Sequence, residues 1–421
     1  MIIIKWSKAL FLSAVVLMLS AGATSLSAQS AGFVYVANSN HYPQPSSISA
    51  YSVDSKTGGL SAVPGSPFQA GRAIGSIAVD ATGRFIYVTD PSASSILAYS
   101  IDGSTGSLTS VSGSPFATGY QPFLITVEPA GKFVYAQESG GIRAYAIDQT
   151  TGALTLVPGS PFPGGGYASA VTVDPTGRFL YLGYDPRSGQ GRYIYAFSID
   201  RGSGALTRIS GSPFMIPTDP SVKSFFGPGP VALVADPAAN FFYVADGGQQ
   251  DIWIYTLDGT TGALALTSSS PAFHLRAGFS DLTLDPTGQY AFLTSNYPNP
   301  SNCGNYYPYT DIYPPESVFA FSIDGGTGAL TPVSRAPIQV AGYQPGSVAV
   351  DPSGQLAYVL NQKGYNGDNN SSSVSVYTIS KNSGALNPVL GSPFPGQTGP
   401  LKLVVTAGPN LCNANGQQPC K

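Results

Sequence analysis

The chain is poor in the residues that usually carry chemistry. Its 421 residues include three Cys, two His, three Met and two Trp, and 10% are charged. So few Cys exclude a disulfide scaffold. Cys412 and Cys420 flank a short polar tail and either pair in an oxidising compartment or stay free; Cys303 is left over in a loop. His41 and His274 are far from any Cys pair, which leaves no zinc pattern and no expected metal or cofactor. No GxSxG elbow, P-loop, HExxH or EF-hand spacing occurs, and the oxygen-rich NGDNN at Asn366–Asn370 reads as a solvated loop. No segment past the N-terminus has a helical period. Basic excess is lacking too. The net charge of −3 becomes about −5 once Lys5 and Lys8 are removed with the leader, which excludes a nucleic-acid or anionic-lipid surface.

The one long apolar run, Ala9–Leu19, follows Lys5 and Lys8 and precedes small residues to Ala28. It is too short to span a membrane, so residues 1–28 read as a secretory signal peptide, cut after Ala23 or Ala28. The protein is then expected to be secreted or periplasmic, and a monomer. Residues 29–407 form one repeating domain and 408–421 a polar tail.

What is abundant is Gly (50), Pro (36), Tyr (25) and Phe (21), and these residues fall at regular intervals. Ser76–Phe116 is one copy of a unit with four apolar runs, IAV, FIYV, ILAYSI and LTSV, separated by DATG, a polar loop and DGSTG. Runs rich in β-branched and aromatic residues between Asp, Pro and Gly read as strands. The unit's end, SPF or a variant, occurs seven times, from Ser66–Phe68 to Ser392–Phe394. The turn before the last strand also occurs seven times, and the turn after the first strand six times. The first copy, at Phe33–Asn38, lacks a leading strand, and Leu401–Thr406 is a leading strand with nothing after it. A period near 50 with four strands per unit predicts an all-β, seven-bladed β-propeller with antiparallel blades, closed by the C-terminal strand joining the N-terminal blade.

One face of such a ring carries only short turns. Their Asp residues, such as Asp80, Asp102, Asp148, Asp174 and Asp258, read as turn formers. The other face carries the irregular loops Asn38–Ser46, Tyr184–Tyr193, Met215–Pro230, Ser295–Glu316 and Asn361–Ser372. Varied loops over a uniform frame mark where a ligand would sit. Tyrosines recurring at one strand position, such as Tyr35, Tyr87 and Tyr135, read as packing between blades.

The phrases DPTGRFLYLGYD (Asp174–Asp185), DPSGQLAYVLNQ (Asp351–Gln362) and YSIDGSTGSLT (Tyr99–Thr109) resemble the seven-bladed lactonase family. That family includes 6-phosphogluconolactonases and carboxy-muconate cyclases, and the resemblance covers about residues 32–407. It implies a lactone hydrolase whose site lies on the irregular face near the channel mouth. The family's paired His fall near Tyr167 and Ser169, and its Arg-His at the start of the fifth blade is replaced by Val231 and Ala232. The resemblance leaves Asp185 and Asp246 as candidate bases and Arg192 as the candidate cation. His41, Tyr167, Arg276 and Asn361 are the expected ligand contacts, with a small lactone or sugar-like ligand. The alternative is a non-catalytic propeller binding a glycan, peptide or protein on the same rim.

Overall fold

The computed structural model describes residues 30–40, 44–164, 166–184, 192–217, 229–274, 278–296, 316–334, 337–340, 343–363 and 372–408. Seven antiparallel sheets follow one another along the chain. In six of them the order of strands in space is the order in sequence. The first sheet is the exception: Pro400–Ala407 lies beside Ser30–Asn38 as its innermost strand. Phe33 pairs with Thr406 and Ala37 with Lys402, so the two ends of the chain share blade 1.

The inner strands are Pro400–Ala407 in blade 1, then Ile77–Val79, Pro122–Val127, Ala168–Val173, Pro230–Ala235, Gly278–Leu284 and Tyr343–Val350 in blades 2 to 7. Each packs on the next round a full circle. The fold is a closed seven-bladed propeller, as the repeat count predicts.

The SPF triplets do more than end the unit. In six blades a two-residue fifth segment follows and pairs with the third strand, as Phe116–Ala117 does with Ser95–Ile96; the motif's Phe begins it in four, Phe273 in blade 5 and Ile338 in blade 6. In blade 3 the equivalent contact is an isolated bridge between Ile142 and Phe162. The motif's Ser caps the strand it faces: Ser114 Oγ accepts from the Ala98 N–H at 3.0 Å and Ser160 Oγ from the Ala144 N–H at 2.9 Å. Six Ser–Pro bonds of this motif are cis.

Blades are clamped to one another through a repeated contact. The Tyr35 hydroxyl of blade 1 donates to the Gly106 carbonyl of blade 2 at 2.9 Å, and the Phe33 ring covers the same glycine. Gly106 has φ +77, and a Cβ there would stand 2.4 Å from Phe33, so only glycine fits. The pattern recurs from Tyr87 to Gly152, Tyr135 to Gly204, Tyr181 to Gly262 and Tyr243 to Gly328. Removal from water pushes these phenols far above their ordinary pKa.

The Asp residues of the uniform face are turn formers, as expected. Buried Asp174 accepts from the Arg178 and Phe179 N–H groups at 2.8 and 2.7 Å and from the Thr176 N–H at 3.0 Å. Exposed Asp102 accepts from the Ser104 hydroxyl and from the Thr105 and Ser104 N–H groups, which lower its pKa to about 2. Losing the buried acceptor leaves several N–H groups without a partner, at about 1–3 kcal/mol each. Asp174→Ala is expected to cost on the order of 3 kcal/mol of stability in chemical denaturation. A loss under about 0.5 kcal/mol contradicts this role.

Candidate active site at the channel mouth

The irregular face is reached at the start of each inner strand, and there the strands share a distortion. In six blades the pairing with the second strand slips by one residue, between Pro122 and Leu124, Ala168 and Ala170, Pro230 and Ala232, Phe279 and Asp281, Pro345 and Ser347, and at Leu401 between Pro400 and Lys402. A bulge leaves one residue unpaired and re-aims its neighbours. One step past it, in blades 1 and 3 to 7, stand Lys402, Leu124, Ala170, Ala232, Asp281 and Ser347; in blade 2, whose Ile77–Val79 pairing does not slip, the Ser76 carbonyl accepts from the Thr89 N–H at the matching place.

Asp281 and Lys402 are the only acidic or basic residues on all seven inner strands. They sit in blades 6 and 1, on either side of blade 7. Asp281 is partly exposed and its carboxylate is held firmly. It accepts from the Ser347 hydroxyl at 3.0 Å and the Val348 N–H at 3.1 Å of blade 7, and from its own strand's Leu282 N–H at 2.9 Å. Burial pushes its pKa above the ordinary carboxylate value, against the pull of Lys402 and these hydrogen bonds. Lys402 is exposed. Beside Asp281, the Ser280 hydroxyl is buried with no hydrogen-bond partner.

Two strained residues border the same side. Glu316 and Gln344 have φ of 68 and 54, a region that costs non-glycine residues on the order of 1–3 kcal/mol. The Gln344 N–H bonds Glu316, whose pKa is raised chiefly by burial.

The residues expected from the sequence divide into three groups. Arg192 and Asp246 are brought together as an ion pair across the interface between blades 4 and 5. Asp246 is fully buried, Arg192 nearly so, and the same carboxylate accepts from the Gly248 and Gln249 N–H groups at 2.9 and 3.1 Å. Asn361 is also fully buried, donating to the Ser373 and Ser375 hydroxyls at 3.0 and 2.9 Å. Both occupy one repeated position, the inner end of the second strand. Asn38, Asp90, Glu138, Tyr184 and Ser295 fill it in the other blades, all buried. Glu138 there holds Arg143 through two oxygens. Tyr167, by contrast, is 52% exposed on the lead-in to blade 4 and meets the Phe123 ring edge-on at 5.3 Å between centroids. Asp185, His41 and Arg276 lie outside the described residues, as do Cys303, Cys412 and Cys420.

Asp281 and Lys402 are not evident from motif or loop. The signal lies in register: both are lone charges in a strand that is uncharged in the other five copies. Among the described residues no group of three His, Cys, Asp or Glu is placed to hold a metal, and no helix is long and apolar enough to cross a membrane.

Residues 57–166 match the model of the family described as Lactonase, 7-bladed beta-propeller. This chain has the lactonase-type propeller fold. A putative 6-phosphogluconolactonase from Bacteroides uniformis superposes with a TM-score of 0.66 at 15% identity, over 90% of this chain and 100% of that one. One from Bacteroides fragilis gives 0.65 at 18%, over 91% and 99%. The periplasmic gluconolactonase of Pseudomonas aeruginosa gives 0.64 at 16%, over 90% and 99%. No curated protein matches by sequence.

The raised Asp281 pKa has a signed consequence. Between the unfolded value near 3.8 and the higher folded value, the native state binds the extra proton, so stability falls as pH rises through that window and stays reduced above it. The Tm of Asp281→Asn relative to wild type is therefore expected to be most favourable at pH 7 and to decline toward pH 4. A relative Tm that improves toward pH 4 contradicts the assignment.

Proposed function

We propose that this protein is a lactone hydrolase working at the channel mouth, with Asp281 as the general base and Lys402 as the cation. The observation that carries the reading is the isolation of this opposite pair on an otherwise uncharged ring of inner strands. The fold, shared with proteins described as lactonases, supports it.

The chemistry needs few parts. Asp281 takes a proton from water as its oxygen attacks the acyl carbon. The ammonium of Lys402 stabilises the developing oxyanion or binds a negative group of the substrate. The carbon–oxygen bond of the ring then breaks and Asp281 returns the proton to the leaving ring oxygen, giving the hydroxy acid. A carboxyl pKa raised above its ordinary value makes a stronger base for this step. Ser347 and the Val348 N–H hold the carboxylate in one orientation. In this reading the buried Arg192–Asp246 pair is a strut beneath the rim, since neither group is open to a substrate. Removing one partner would strand a buried charge at about 3–5 kcal/mol.

The second reading, a non-catalytic propeller that binds a glycan, peptide or protein, is favoured by exposed Tyr167 beside Phe123. It predicts binding without turnover. Export through residues 1–28 belongs to the same proposal and places the site outside the cytoplasm.

The purified chain, offered gluconolactone, 6-phosphogluconolactone and muconolactones in a pH-stat, is expected to release acid above background. Asp281→Asn should lower kcat by about 10²–10⁴-fold. Equal rates for wild type and Asp281→Asn on every lactone overturn the hydrolase reading.

A further inference from the structure

The mouth has two unlike walls. Blades 6, 7 and 1 supply Asp281, Ser347 and Lys402. In a ring of seven, the place opposite blade 7 is the junction of blades 3 and 4. Phe123 stands at the bulge of blade 3, and Tyr167 reaches it from the lead-in to blade 4. Both rings are open to solvent in part, Tyr167 by more than half. The wall continues with Leu124 in blade 3 and Val231 in blade 5, both partly exposed. Its Ser169 hydroxyl donates to the Pro230 carbonyl at 2.6 Å, and Tyr167 adds a phenol.

Apart from the Tyr167 phenol, such a wall is an apolar face that offers a polyol little. Hydroxyl groups pressed against it lose water without gaining a partner, which is costly. An alkyl or aryl group placed there removes apolar area from water on both sides, which is favourable. An aromatic pair left partly exposed here, rather than packed between blades as the repeated tyrosines are, offers apolar area that a ligand can cover.

We infer that the ligand of the mouth is a lactone bearing an apolar substituent, whose ring faces Asp281 and Lys402 while the substituent lies on Phe123 and Tyr167. The inference rests on the hydrolase reading above and makes the aromatic pair its specificity determinant. A sugar lactone, with a hydroxyl on nearly every carbon, is then the poorer substrate.

The test compares δ-decalactone with gluconolactone as substrates of the purified chain, and measures binding of the matching pentyl-substituted δ-lactam by calorimetry. Because Tyr167 is largely exposed, Tyr167→Ala leaves the fold intact. Wild type is expected to favour δ-decalactone by about tenfold or more in kcat/KM. Tyr167→Ala should cost about tenfold more on δ-decalactone than on gluconolactone, mainly through KM, and weaken the lactam by about tenfold. Tyr167→Phe should behave as wild type. A preference for gluconolactone, or an equal loss on both substrates in Tyr167→Ala, overturns the inference while leaving the hydrolase reading intact. Lactam binding that depends on Tyr167 without turnover of any lactone upholds the apolar wall and overturns the hydrolase reading. Lactam binding that is absent, or unchanged in Tyr167→Ala, overturns the inference whatever the turnover.

Discussion

The pairing of Phe33–Asn38 with Pro400–Ala407 is the constraint on which the propeller depends. A blade alone exposes both faces of its sheet, and a row of blades would still expose two end faces. Joining the last strand to the first sheet removes both ends at once. It also ties residues 32–38 to residues 400–407, so that the ring cannot open there without breaking a ladder of backbone hydrogen bonds.

Closure also creates the mouth. Six inner strands with bulges at a common height bring single residues of distant sequence to one ring. Asp281 and Lys402, far apart in the chain, become close enough for Lys402 to act on the Asp281 carboxyl. The frame bears the cost of a carboxylate withdrawn from water and of two left-handed residues, Glu316 and Gln344, on the same side. Cost of this kind, gathered at one place on a repetitive scaffold, is the physical ground for the proposed site.

Much of the fold was legible because the repeats announce themselves. The missing leader before Phe33 and the surplus strand at Leu401 required each other, and the turn aspartates carried their own mechanism. The fifth segment was not legible, because a two-residue pairing such as Phe116–Ala117 has no periodicity to detect. The site was harder. Arg192 and Asp246 read as rim residues, yet the second strand's inner end is a buried position whose polar group must find a partner, and these two found each other. Asp281 and Lys402 look like ordinary solvent-facing charges until the seven leading strands are aligned. Bulge position depends on pairing register, which single strands do not encode. Tyr167 is reached from the sequence only through the family resemblance, at the place of a missing His, and Phe123 carries no signal there.

Hydrogen exchange at Phe33–Asn38 tests ring closure most directly. In the full chain these amides should be as protected as those of Phe179–Tyr184 in blade 4, and in a chain ending at Gly399 that protection should be lost. Fast exchange at Phe33–Asn38 in the full chain, or equal protection without residues 400–421, would contradict a ring shut by its own C-terminal strand.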